Sequence, residues 1–239
     1  NFSFTDDAEN ITRKLWCRLG GEVAYPYSIY YSIPLQPLKF LFSFLAKKRN
    51  GLLNQLIKKS GTPAQKIYDW LNIPYFSVDT SAEEHLVSLT PKKLQQGLFS
   101  QLSNYELYPA HNKLDINYYL ESVGKQNQFG QLYAKGIIDY KDQLIGWFIY
   151  FLNQDHYCNV LHAECMKGKE NILINNLKKD AYQNGAITIS GRFTPYQLGT
   201  DFSENAIPRI GKKWVLVHSK DESLLHSFRK GHSLITPIW

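Results

Sequence analysis

Three apolar segments in quick succession, Leu132 to Ile138, Leu144 to Leu152 and Tyr157 to Glu164, are followed by the clearest amphipathic helix in the chain. That order constrains the fold more than any other feature. The segments are rich in Val, Ile, Tyr, Phe and Trp, which suits strands, and the polar DYKDQ stretch, Asp139 to Gln143, suits a hairpin turn. The helix, over 171 to 184, puts Ile172, Leu173, Ile174, Leu177 and Ala181 on one face, with Lys178, Lys179 and Gln183 pointing away. Asn184-Gly185 closes it, and Ala186 to Arg192 (AITISGR) reads as a further strand.

The flanks extend this pattern. Thr90-Pro91 opens a helix to about Leu102, and a second helix spans Asp115 to about Gln126. After the AITISGR strand come a weak helix near Tyr196 to Phe202, a strand at Trp214 to Ser219, and a helix from Glu222 to Lys230 capped by Asp221. From Thr90 the order is α-α-β-β-β-α-β-α-β-α. Hairpin-linked strands followed by a helix and a strand return imply an α/β fold with one mixed sheet covered on both faces.

The first third differs. Asp6 to Leu19 reads as a helix capped by Asp6 and Asp7, with Ile11, Leu15 and Leu19 recurring every four residues beside Trp16. Gly20-Gly21 ends it, and Glu22 to Ile33 is strand-like, bent at Pro26. Phe40 to Lys59 and Pro63 to Leu71 read as helices of a connector. These features divide the chain into a helix and strand at 1–37, a helical connector at 38–87, and an α/β domain at 88–239.

Composition narrows the function classes. The chain has 239 residues, 44% hydrophobic and 20% charged, enough to bury a core. Its net charge of +6 suits an anionic ligand, but no nucleic-acid-binding module is recognisable. The most apolar stretch, Leu35 to Ala46, is broken by Pro37 and Lys39 and is too short for the roughly 20 residues of a membrane span. A core helix with a basic end is favoured there over a membrane-surface helix. Three cysteines, Cys17, Cys158 and Cys165, form neither a disulfide framework nor a zinc spacing, so a reducing cytoplasm is expected. Asn1 and the single methionine, Met166, suggest a chain that is processed, tagged and trimmed, or cut from something longer.

This succession resembles the GNAT (acyl-CoA N-acyltransferase) fold. QLIGWFIYFL is similar to the family's glycine-then-aromatic third strand, and the helix at 171–184 with its NGA exit into AITISGR resembles the central helix and fifth strand. HSKDESLLHSFRKGHSLITPIW resembles the C-terminal ends of a bacterial group with two GNAT-like halves. In that group, a helix ending in LGGE runs into a Tyr- and Pro-containing strand, as ITRKLWCRLGGEVAYPYSIYYSIPLQP does here. The resemblance covers about residues 10–37 and 88–239. It implies that residues 1–37 are the closing helix and strand of a preceding GNAT-like unit. It also implies an acyl group, such as acetyl, moved from acyl-CoA to a small-molecule or peptide amine; a non-catalytic GNAT-shaped ligand-binding or interaction domain is the alternative. A homo-oligomer remains open.

GNAT enzymes bind the acyl-CoA pyrophosphate at a glycine-rich turn before the central helix, where unpaired amides converge. The corresponding Cys165-Met166-Lys167-Gly168-Lys169-Glu170-Asn171 holds one glycine. The resemblance assigns cofactor binding to Lys167, Gly168, Lys169 and Asn171, with the two lysines as point charges for phosphate. The alternative is a basic surface turn. Acyl transfer also needs a base and an acid. Alternation along Tyr157 to Glu164 puts His162 and Glu164 on one strand face, where the family often carries its base, and an ordinary half-solvated face is the competing reading. Tyr196 matches the region of the family's thiolate-protonating tyrosine; alternatively it packs beside Pro195. Trp147, Phe148 and Tyr150 line either an acceptor cleft or the core.

Overall fold

In a computed structural model describing residues 2–37, 39–40, 85–101, 105–108, 113–204, 206–211 and 213–235, the strand patterns resolve into two sheets. The helices expected at 40–59, beyond Phe40 itself, and at 63–71 lie outside the described residues, as does Lys212.

The larger sheet starts from the predicted meander. Strands β5 (Gln131–Ile138), β6 (Leu144–Leu152) and β7 (Tyr157–Cys165) pair antiparallel. The Asp139 carboxylate accepts from the amides of Lys141 and Gln143, both at 2.9 Å, and so forms the β5–β6 turn. In β6, every residue from Ile145 to Phe151 is buried, as expected of a central strand covered on both faces. Phe148 and Tyr150 pack with Leu173, Ile174, Leu177 and Ala181 of α4 (Glu170–Gln183). Trp147, Ile149 and Phe151 pack on the opposite side with α2 (Pro91–Gln101) and α3 (Lys113–Gly124). All three aromatics named in the sequence as cleft candidates, Trp147, Phe148 and Tyr150, are therefore core. Lys178 corrects the expected polar face of α4: it is buried, and desolvation lowers its amine to about 8.

β7 carries a bulge. Ile149 pairs with His162 but Tyr150 with Val160, leaving Leu161 as the extra residue. Beyond β7 the sheet continues through β8 (Thr188–Arg192), which is parallel to it with α4 as the crossover. The outer strands come from far apart in sequence. β3 (Ile29–Pro34) inserts between β8 and β9 (Ile207–Ile210), antiparallel to both. At the other edge, β4 (His85–Ser88) pairs with β5, so the sheet begins inside the stretch assigned to the connector, three residues before 88.

The smaller sheet has the order β1-β10-β2, formed by β1 (Phe2–Ala8), β10 (Trp214–Ser219) and β2 (Glu22–Val23). The two sheets thus exchange strands. β3 follows β2 in the chain but sits in the large sheet, and β10 follows β9 but sits in the small one. In both sheets the last strand of one β-α-β-β run lies between two strands of the other.

This exchange explains the largest departures from the sequence reading. Asp6 and Asp7 do not cap a helix; they belong to β1, and α1 spans Asn10–Arg18 after Glu9. The expected apolar stripe of α1 is its outer face, with Ile11, Leu15 and Leu19 at 81%, 57% and 72% exposure. Trp16 faces inward instead. Its indole N–H donates to the Val217 carbonyl at 3.0 Å, and Arg13 lies over the Trp214 ring. The strand expected at Glu22 to Ile33 is split by a helical turn at Tyr25–Tyr27. The weak helix near 196–202 is a turn at Pro195–Gln197 followed by α5 (Asp201–Glu204), and β9 was not anticipated. The last helix, α6 (Glu222–Lys230), is capped by Asp221 as expected, and Gly231 ends it at φ 77°. Among the described residues, no helix is long and apolar enough to cross a membrane.

Candidate functional site

β7 and β8 pair at only three positions, Tyr157 with Thr188, Cys158 with Ile189 and Asn159 with Ser190, and then diverge. Toward the C-terminal end of β7, a side chain occupies the place of the missing ladder. Gln197 donates from Nε2 to the Ala163 carbonyl at 2.9 Å, while its Oε1 accepts from the Thr194 amide at 3.0 Å. This is the capping-box arrangement of Thr194-Pro195-Tyr196-Gln197, legible in the sequence as a polar residue followed three positions later by Gln. The buried amide group props the strands apart and satisfies a β7 carbonyl that would otherwise lack a partner.

The gap opens into a cavity of about 420 Å³ whose walls include Tyr105, His162, Arg192, Phe193, Arg209 and Leu234. His162 is 4% exposed, and its Nε2 has no hydrogen-bond partner. Ser233 Oγ, also on a residue that lines the cavity, is likewise buried without a partner. Unsatisfied buried groups are costly and uncommon, so two around one hollow mark a place shaped for a polar ligand or for water.

The sequence-derived residues fall at different depths. Glu164, 1% exposed, does not line the cavity. Its Oε2 accepts from the hydroxyl of Tyr105 at 3.4 Å, and Tyr105 does line it. Tyr196 packs edge-on against Tyr105, ring centroids 6.2 Å apart, with its hydroxyl buried and unpartnered. His162 and Glu164 lie on the same side of β7, and the His162 ring is 5.8 Å from that of Trp147. Tyr105 was not found from sequence, because it lies in irregular chain and meets Glu164 across 59 positions.

Burial sets the charge of this group. Desolvation, helped by the Arg192 guanidinium, lowers the His162 imidazole to about 4. Desolvation raises the Glu164 carboxyl well above its ordinary value, and burial beside Glu164 raises the Tyr105 phenol. At neutral pH the His162 imidazole is uncharged, with an unpartnered ring nitrogen.

The turn before α4 lies elsewhere. Lys167, Gly168, Lys169 and Asn171 are exposed and none lines the cavity. Gly168 takes a left-handed φ of 82°, which suits glycine. Its amide donates to Oε1 of Glu170 at 3.1 Å, so a carboxylate from the chain itself already occupies one donor at this helix start.

No family model and no curated protein matches this chain. Among solved structures, it is similar to a conserved protein of unknown function from Enterococcus faecalis V583, described as a probable N-acyltransferase. That match has 10% identity and a TM-score of 0.53, covering 95% of this chain and 46% of the other. Yeast (Saccharomyces cerevisiae) N-myristoyltransferase with bound myristoyl-CoA matches at 11% identity and TM-score 0.44, over 80% of this chain and 48% of that one. A functionally unknown conserved protein from Staphylococcus epidermidis matches at 8% identity and TM-score 0.44, over 90% and 71%. The chain spans about half the length of the first two. The likeness to the Enterococcus faecalis protein is one of fold: the chain has the mixed α/β, GNAT-like architecture expected from its sequence.

Proposed function

We propose that this GNAT-like chain carries an N-acyltransferase site, in which an acyl-CoA or related thioester enters the gap between β7 and β8 and an amine is acylated at His162. The observation that carries this reading is the divergence of the two strands after Asn159 and Ser190, with the unpartnered His162 Nε2 in the cavity it creates. The Enterococcus faecalis protein of the same fold, described as a probable N-acyltransferase, supports it.

The amine attacks the thioester carbonyl, forming the C–N bond, and His162 Nε2 takes the proton that the nitrogen sheds. The tetrahedral intermediate then collapses, the C–S bond breaks, and the thiolate is protonated to the free thiol. Tyr196 has a buried hydroxyl with no other partner and is our candidate for that proton donor, with the hydrogen-bonded Tyr105 and Glu164 beside it. A dry site strengthens any hydrogen bond to the developing oxyanion.

The donor's phosphates are assigned to the turn before α4. Lys167 and Lys169 would supply charge, and Gly168 and Asn171 close approach. Glu170 must then release the Gly168 amide, because a phosphate and a carboxylate compete for the same donor. Residues 1–37 are read as the closing part of a preceding GNAT-like unit, in keeping with the small sheet's β1-β10-β2 order, which repeats β8-β3-β9.

Calorimetric titration with acetyl-CoA and with CoA tests the donor assignment. Saturable binding is expected, weakened by Lys167→Ala with Lys169→Ala and tightened severalfold by Glu170→Gln. An absence of heat with either compound rejects the reading and leaves a non-catalytic domain.

A further inference from the structure

Polar side chains cross the cavity's sheet wall in two rows. Asn159, Ser190 and Ser32 are register partners on β7, β8 and β3, and Arg192, Tyr30 and Arg209 are register partners on β8, β3 and β9. Positions two apart on a strand share a face, so the rows face the same way, opposite the core residues Tyr31, Ile33 and Ile189. All six row residues line the cavity.

Two carboxylates of β1 cover the second row. Arg192 forms an ion pair with Asp6, and the Tyr30 hydroxyl donates to Asp7. The Asp7 amide donates to Asp6 Oδ1 at 2.7 Å, and Lys213 Nζ donates to the Asp7 carbonyl at 3.3 Å, 3.9 Å from Glu9 Oε1. Both carboxylates are therefore engaged, as are Arg192 and Lys213. Among the described residues, Arg209 is the one ionic side chain of the cavity wall without a partner. The cavity is thus polarised. Its His162 end holds a neutral imidazole and is partly aromatic, and its β9 end carries an unpaired guanidinium.

We propose that the acceptor is an amine bearing an anionic group, carboxylate or phosphate, at its far end, and that Arg209 binds that group. This rests on the acyltransferase reading for the amine end. A neutral imidazole at His162 suits an uncharged amine, which is the nucleophilic form. A planar guanidinium recognises either anion through paired N–H donors. β7 and β9 lie three strands apart in the order β7-β8-β3-β9, about 14 Å at paired-strand spacing and more across the gap, so an extended acceptor is needed to join the two ends. A cationic far end would have to share Asp6 and Asp7 with Arg192 and Tyr30.

Four probes of similar length separate the possibilities: ω-aminooctanoate, its neutral amide, ω-aminoheptyl phosphate and octamethylenediamine. Binding is read by calorimetry, and acyl transfer from acetyl-CoA by thiol release. Expected is binding of an anionic probe at least about tenfold tighter than the amide, with the diamine weakest. The better of the two anions identifies the source. Arg209→Gln, on an exposed strand where it leaves the melting temperature unchanged, should bring all four within about twofold. Tightest binding of the diamine, no charge preference, or an equal loss for all probes in Arg209→Gln overturns the subsite. Anion binding that depends on Arg209 without thiol release keeps the subsite and removes the acyltransferase reading; equal thiol release to all four does the reverse.

Discussion

His162→Gln is expected to lower the turnover of acyl transfer by about 10²- to 10⁴-fold, the range that a positioned general base contributes. The donor's KM should stay within about threefold, because glutamine keeps the size and polarity of the side chain but takes no proton. The pH profile distinguishes this from a packing defect. With the imidazole lowered to about 4, the base is already in its active form throughout the neutral range. The acid limb of kcat/KM therefore follows the amine's own deprotonation and shows no inflection near 6.5. Stability gives an independent readout. The unfolded chain protonates this histidine near 6.5 and the folded one only near 4, so the unfolded state binds more protons between those values. Stability is thus lost as pH falls through that window, by about 3 kcal/mol at 1.36 kcal/mol per pH unit. His162→Gln should remove that part of the acid sensitivity. Turnover within threefold of the parent, or an unchanged acid sensitivity, contradicts the assignment.

Tyr31→Ala should be the most damaging change to the strand exchange. Tyr31 is buried at the centre of β3, its ring 4.8 Å from Phe193 and 5.3 Å from Phe202 by centroids. Removing it leaves a cavity between β3 and the segment that follows β8, costing about 3–5 kcal/mol. For a chain of this size that lowers the melting temperature by roughly 10 °C. Thermal unfolding and urea titration check it. A loss below about 1 kcal/mol means that β3 is not the core strand its burial indicates. The link to function is direct, because β3 is the strand that holds β8 on the side away from β7.

The sequence showed most clearly what is local. β5, β6, β7 and α4 follow one another within residues 131–183, and their apolar strand runs and helical periodicity are local features of the sequence. The exchanged strands could not be read the same way. Phe2 pairs with Ser219 and Ile33 with Ile189, so β1 and β3 are defined by partners more than 150 positions distant. Alone, the acidic pair Asp6-Asp7 looks like a helix cap, and only Arg192 and Tyr30 reveal it as part of a cavity wall. α1 misled for the same reason: its four-residue apolar repeat is real, but Trp16 is what anchors the helix to β10. In the site, alternation along β7 places His162 and Glu164 on one face, and the family resemblance points to that face. The Leu161 bulge, and Tyr105 reaching in from irregular chain, depend on register and on long-range packing that no local pattern encodes.

The central claim is that the gap between β7 and β8 receives the acyl donor, and a photoreactive acyl-CoA tests it most directly. After irradiation of the intact chain, digestion and mass mapping, the account predicts adducts within 157–165 and 188–197, suppressed by excess acetyl-CoA. Adducts confined to other segments, or labelling that acetyl-CoA does not compete, would contradict it.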